Sequence, residues 1–217
     1  MSIIPDDLID ETLAEYRVSA TPTIRSAVRT FLSLLLRWNK KISLTTITDP
    51  LQILRFHFGE SMFAASAVPI RNGRLADVGS GAGFPGLPLK ILMPSLDVVL
   101  IESNAKKASF LSECIRELNL LNAEVARSRF EDLEESVSKF ELITARALGG
   151  YQYLCKWAQE NLAADGELVL WLGQEDAIRL QRVPSIQWRS PIAIPNSDRR
   201  VLLVGTHNRE MFHVEHS

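Results

Sequence analysis

An α/β fold is what this sequence predicts: a doubly wound, seven-stranded, mostly parallel sheet that ends in an antiparallel hairpin and follows a helical extension. Three observations predict it. From Arg74 onward, short apolar runs alternate with helical stretches, which is the pattern of βαβ units. Before Arg74, apolar residues recur only at helical spacing. After Trp188, two runs are separated by Pro195-Asn196-Ser197-Asp198 alone, a connection too short for a crossover helix and suited to antiparallel pairing. The expected division is an N-terminal helical extension over 1–70 and a sheet domain over 71–217.

Asp6 and Asp7 suit the start of a first helix carrying Leu8, Ile9 and Leu13. Pro22 opens a second, in which Ile24, Val28, Phe31, Leu32, Leu35 and Leu36 share a face. Its basic end, Trp38-Asn39-Lys40-Lys41, complements the helix dipole. Asp49-Pro50 starts a third helix, running through Leu54 and Phe58 towards Ala67. The strands expected next are Leu75–Val78, Val98–Ile101, Ala123–Ala126, Glu141–Ala145 and Leu168–Leu172. Helices near Leu87–Leu92, Lys106–Leu118 and Tyr151–Asn161 lie among them, and right-handed crossovers place helices on both faces. Trp188–Ile194 and Arg200–Val204 form the closing hairpin.

Composition bounds the function. Apolar residues make up 46% and charged residues 23% of 217 positions, ordinary globular usage. The net charge of −2 excludes a coat of positive charge for nucleic acid and leaves room only for a local basic face. Cys114 and Cys155 form neither a disulfide framework nor a metal spacing; both read as small apolar residues in a reducing, cytoplasmic setting. The stretch Met1-Ser-Ile-Ile-Pro-Asp-Asp has neither the basic nor the apolar region of a signal sequence, and no apolar stretch is long enough to span a bilayer, so neither export nor membrane insertion is expected. His213 and His216 supply too few ligands for a metal and read as a loose tail. His57 reads as a packing residue. No metal, no membrane and a monomer are the expectations.

The strongest local signal is Asp77-Val78-Gly79-Ser80-Gly81-Ala82-Gly83-Phe84-Pro85-Gly86, between the first strand and a helix. Its glycines permit backbone angles closed to other residues and let a ligand approach the main chain, while free N–H groups at the helix start can meet polar ligand atoms. The next strand ends at Glu102, where a carboxylate can accept from ribose hydroxyls. Asp77, two positions before the first glycine of Gly79-x-Gly81-x-Gly83, favours S-adenosylmethionine, because a carboxylate there can sit near the cationic end of that ligand. A sheet closed by a hairpin fits a class I methyltransferase better than a plain dinucleotide fold. Gly81-Ala-Gly83-Phe-Pro-Gly86 also matches the G-x-G-x-x-G pattern of NAD sites, and a bare strand-to-helix turn would use the same glycines.

The stretches DVGSGAGFPGLPLKI and LIESNAKKASFL resemble the glucose-inhibited division protein B family, also called RsmG, which methylates N7 of a guanine in 16S ribosomal RNA. The resemblance runs over nearly the whole chain, through WNKKISLTTI, RFHFGES, SRFEDL, ITARAL and the basic C-terminal hairpin. It implies donor contacts at Gly79 and Phe84, an adenine border at Phe130 and Glu131, and a place for Arg146 in the cofactor site. Three positions depart from the family: Ser43 where asparagine is usual, Glu60 where aspartate is usual, and Leu172 before Gly173 where lysine is usual. If that lysine holds RNA, another base must replace it here.

The chemistry agrees with such a reaction. Guanine N7 carries a free lone pair, so alignment and exclusion of water suffice and no general base is required. Arg146 is then expected to orient or to act electrostatically; its competing reading is an ion pair with Glu131 or Glu102. Trp38, Lys40, Lys41, Arg199 and Arg200 are the expected RNA contacts, with Arg71, Arg74, Arg127 and Arg129 also basic. Trp38 or Phe84 could stack on an extruded base; taken singly, all of these also read as helix-end charges and core aromatics. The expected partner is 16S rRNA or the small ribosomal subunit. Competing functions are methylation of a non-RNA substrate, an NAD-linked oxidoreductase, and a binding module without turnover.

Overall fold

The structure, a computed structural model, describes residues 4–133 and 139–207 of the chain. Helices α1 (Asp6–Ala14) and α2 (Pro22–Asn39) come first. Thr21 caps α2 by accepting from the Ile24 amide, and Pro22 stands in the first turn, where its missing N–H is not needed. Asp49 caps α3 (Pro50–Ile53). A π-helical turn over Leu54–Gly59 follows, and α4 (Glu60–Ala67) continues from it. The sequence predicts one uninterrupted helix here. The wider π-turn changes which residues beyond it face the sheet.

The sheet unit then runs β1 (Arg74–Val78), α5 (Gly86–Leu92), β2 (Asp97–Ile101), α6 (Ala105–Glu117), β3 (Ala123–Ala126), a 3-10 turn (Phe130–Asp132), β4 (Phe140–Arg146), α7 (Tyr151–Asn161), β5 (Leu162–Gly173), α8 (Gln174–Leu180), β6 (Ile186–Trp188), β7 (Ile192–Ala193) and β8 (Arg200–His207). The sheet order is β3-β2-β1-β4-β5-β8-β6, with β7 also on β8. Strands β1 to β5 are parallel, and β8 is antiparallel to β5, pairing Leu168 with Gly205 and Gly173 with Arg200. The expected strand Trp188–Ile194 is two short strands. Trp188 pairs with Gly205 and Ile192 with Leu202, so three residues face two on β8. Pro191, which has no N–H to give, sits in that bulge.

Strands buried on both faces explain the near-continuous apolar runs. Leu75, Leu142, Val169 and Trp171 face one layer; Ala76, Ile143, Leu168 and Leu170 face the other. The first layer includes Ile9, Phe31, Leu35, Phe58 and Met62 of the extension together with Leu87, Leu100 and Phe110 of the sheet unit. One apolar core therefore runs across residue 70. Because β1 pairs with both β2 and β4, the strand order reverses there, which is where α/β sheets bind ligands, beyond the strands' carboxyl ends.

Candidate functional site

The loop between β1 and α5 folds on its own main chain. The amides of Gly79 and Ser80 donate to the Ile101 carbonyl at 2.9 and 3.1 Å, and the Gly83 amide donates to the Ser80 carbonyl at 2.7 Å. The Gly81 amide donates to Glu102 Oε2 at 2.9 Å. Gly79, Gly81 and Gly83 all have positive φ, at 69°, 55° and 85°, the region glycine enters without strain. Gly83 also needs its missing side chain for packing, since a Cβ would come within 2.5 Å of Leu87 Cδ1.

Asp77 holds this loop from below. It is wholly buried; Oδ2 accepts from the Gly86 amide at 3.2 Å and Oδ1 from the Thr144 hydroxyl at 2.9 Å. Burial pushes its carboxyl up to about 6 against these hydrogen bonds. The carboxylate expected near a ligand's cationic end lies buried beneath the loop, where Asp77 braces the turn because Gly86 lets α5 close directly over it. The expectation of free amides at the helix start is corrected. Gly86 N–H goes to Asp77, Leu87 N–H goes to Gly83, and Pro85 and Pro88 have none.

A cleft of about 250 Å³ lies beside the loop, lined by Gly79, Glu102, Phe130, Glu131, Leu148 and Gly149 among others. Glu102 directly follows β2 and is only 7% exposed. Its Oε1 accepts from the Asn104 amide at 2.7 Å and its Oε2 from Gly81, leaving one lone pair on each oxygen for a ligand hydroxyl. Phe130 serves both expected roles, lining the cleft and meeting Trp157 edge-on at 5.7 Å. Glu131 is exposed at the cleft mouth.

Two expected members turn elsewhere. The Phe84 ring stacks on Phe31 at 5.0 Å and lies 4.9 Å from His57 and 5.2 Å from Phe58, so its side chain fastens the extension and is in no position to stack on RNA. Arg146, at the end of β4, pairs with neither Glu131 nor Glu102. It donates to the Phe56 carbonyl at 2.7 Å and pairs with Glu60 Oε2 at 3.1 Å. Sequence reasoning noted Glu60 as a departure from the family's usual aspartate and gave it no role; its other sequence signal is a carboxylate amid the apolar residues of that helix. His57 shares a 2.7 Å hydrogen bond with Thr45, and burial, then Arg146, push its pKa down to about 4. Both cysteines are buried, and burial pushes the Cys155 thiol up to about 12, so neither is poised as a nucleophile.

The basic residues divide. Trp38 is tied through its indole N–H to Glu113 at 2.8 Å and packs on Phe110, which corrects its expected role as a stacking platform. Lys40, Lys41 and Arg199 are exposed. Arg200 pairs with Glu60 Oε1 at 2.7 Å and lies over the Phe56 ring at 5.1 Å, so this expected RNA contact has a protein partner. Arg71 and Arg74 flank the start of β1, opposite the cleft, with Arg71 near Asp165 and Arg74 near Asp97. Arg129 lines the cleft. Among the described residues no group of metal ligands gathers and no helix is long and apolar enough to cross a membrane. His213 and His216 lie outside the described residues.

A family described as rRNA small subunit methyltransferase G matches residues 24–187. A ribosomal RNA small subunit methyltransferase G from Xylella fastidiosa is 43% identical over 143 residues, 66% of each chain, so the match spans about two thirds of that relative. The same enzyme from Halorhodospira halophila is 35% identical over 83% of this chain and 85% of its own. Among solved structures, a ribosomal protein L11 methylase from Lactobacillus delbrueckii superposes with a TM-score of 0.59 at 16% identity, covering 70% of this chain and 79% of its own. A SAM-dependent methyltransferase from Aquifex aeolicus gives 0.59 at 14%, covering 71% and 92%. At these identities the superpositions establish a shared fold.

Proposed function

The chain belongs to the rRNA small subunit methyltransferase G family, and from that premise we propose that it transfers a methyl group from S-adenosylmethionine to N7 of a guanine in 16S rRNA, as a cytoplasmic enzyme acting on that RNA or on the small ribosomal subunit. The observation that carries the cofactor reading is the state of the loop. A pyrophosphate needs free amides at the helix start. Here the amides of residues 79, 80, 81, 83, 86 and 87 are engaged within the protein, and a buried carboxylate lies beneath them. That is unfavourable for an NAD diphosphate and compatible with a ligand whose amino-acid end carries positive charge. Glu102 would hold the ribose, Phe130 and Glu131 would border the adenine, and Gly79 would let the ligand lie against the main chain.

When bound, S-adenosylmethionine supplies a methyl carbon activated by a sulfonium. That methyl would pass to the N7 lone pair, with the positive charge moving from the sulfonium to the base and a neutral thioether left behind. No proton moves, which agrees with a site holding no nucleophile poised by a base. The chain's task is alignment and exclusion of water.

The test has two steps. Calorimetric titration with S-adenosylhomocysteine and with NAD should give binding to the first alone. Labelled methyl transfer to small subunits from cells lacking this enzyme should then mark one guanine, whose N7-methyl product opens the strand to mild reduction and aniline. Binding of NAD alone overturns the cofactor reading, and label on another atom or on protein overturns the substrate reading.

A further inference from the structure

A second polar group lies across the switch point from the cleft, above β4, β5 and β8, where the extension meets the sheet. At its centre is Glu60, 1% exposed at the start of α4. Arg146 holds Oε2 at 3.1 Å, Arg200 holds Oε1 at 2.7 Å, and Trp171 Nε1 donates to the Glu60 carbonyl at 2.8 Å. The neighbouring Ser61 Oγ and Arg146 Nη1 are buried with no hydrogen-bond partner among the described residues. A buried ion pair is tolerated when its remaining polar groups are satisfied. Orphaned groups around a buried carboxylate therefore call for a polar ligand.

Position narrows the ligand. If the cofactor lies over β1 and β2 against Glu102 and Gly79, the acceptor base approaches from the β4 side. We propose that Glu60 selects guanine as the acceptor, its carboxylate accepting from guanine N1–H and the exocyclic amine. This rests on the methyltransferase reading above. Guanine presents two adjacent donors on that edge; adenine presents a ring-nitrogen acceptor, which a carboxylate repels. The two arginines differ in mobility. Arg146 is 15% exposed and is also fixed by the Phe56 carbonyl, whereas Arg200 is 37% exposed and lies over the Phe56 ring. Arg200 is thus the exchangeable partner: it turns to an RNA phosphate and releases Oε1 to the base. Methylation at N7 makes the base cationic and its N1–H more acidic. The bond to Glu60 therefore strengthens along the reaction, which favours the transition state over the ground state.

The test compares RNA carrying guanosine or inosine at the methylated position. Inosine keeps N7 and N1–H and lacks the exocyclic amine. Wild-type protein should methylate inosine about tenfold less efficiently, the scale of one base-edge hydrogen bond. Glu60→Gln should slow guanosine methylation about a hundredfold and bring the two substrates within about twofold, as expected when an acceptor oxygen becomes an amide donor. Glu60→Asp should keep the discrimination. Affinity of Glu60→Gln for S-adenosylhomocysteine should match wild type, which separates base reading from a collapsed fold. If Glu60→Gln slows both substrates equally, Glu60 is a structural latch and the proposal fails. It fails also if wild-type protein treats the two alike, a result that stands even where the variant does not fold. Absence of label from the wild-type reaction overturns the methyltransferase reading itself.

Discussion

Asp77 gives a stability prediction whose sign and size follow from its burial. Its folded pKa is pushed up from 3.8 to about 6, first by desolvation, against hydrogen bonds from Thr144, Ser80 and Gly86. A carboxyl with a raised folded pKa stabilises the fold in its protonated form. That contribution is complete below the unfolded value of 3.8 and is lost as pH rises through about 6. At about 1.4 kcal/mol per pH unit the whole change is about 3 kcal/mol, of which about 2 kcal/mol falls between pH 4.5 and 8. Asp77→Asn removes the titration and keeps the shape. Urea unfolding of both proteins across that range should show wild type losing about 2 kcal/mol relative to the variant as pH rises. A fixed offset reports the Asn amide meeting the Gly86 N–H and cancels from the pH dependence. Parallel pH curves for the two proteins would refute the claim that Asp77 titrates buried beneath the loop.

Glu102→Gln should weaken S-adenosylhomocysteine binding by about 1–3 kcal/mol, the scale of a lost charged hydrogen bond. If the ribose contact is the cause, the penalty for a 2′-deoxy analogue seen with wild type should vanish in the variant; an undiminished penalty moves the ribose elsewhere. Phe84→Ala should lower unfolding free energy by about 3–5 kcal/mol, as for a buried aromatic, while Phe84→Leu should retain S-adenosylhomocysteine affinity. Weakened ligand binding by a folded Phe84→Leu would return the ring to the cofactor site. Residues 71–217 expressed alone should not unfold cooperatively, because removing the extension exposes Phe84, Leu87, Phe110 and Trp171; a sharp thermal transition would contradict the continuous core.

What the sequence displayed was local. Strand, glycine loop, helix and Glu102 follow one another within one βαβ unit, and the loop is fixed by bonds inside that unit, Gly79 and Ser80 to Ile101 and Gly81 to Glu102, so that half of the candidate site could be read directly. Phe130 and Glu131 came from the family resemblance, and the structure brings them to the same cleft as Glu102. Asp77 was recognised in the right place but its surroundings were not, because its burial depends on Thr144 from β4 as well as on Gly86.

The other half depends on contacts between distant stretches. Arg146 finds its partners at Phe56 and Glu60, and Phe84 finds its own at Phe31, His57 and Phe58. No spacing rule predicts these pairs. An arginine ending a strand reads as solvent- or ligand-facing until something is known to cover it, and the cover is a helix more than eighty residues earlier in the chain. The π-turn matters for the same reason: it lies directly before Glu60, and helical periodicity, which assumes 3.6 residues per turn, assigns the following side chains to the wrong face. The helical extension thus does more than bury apolar surface. It brings the buried carboxylate of Glu60 against both arginines, and under the proposal above, selection of the base and docking of the extension rest on the same residue.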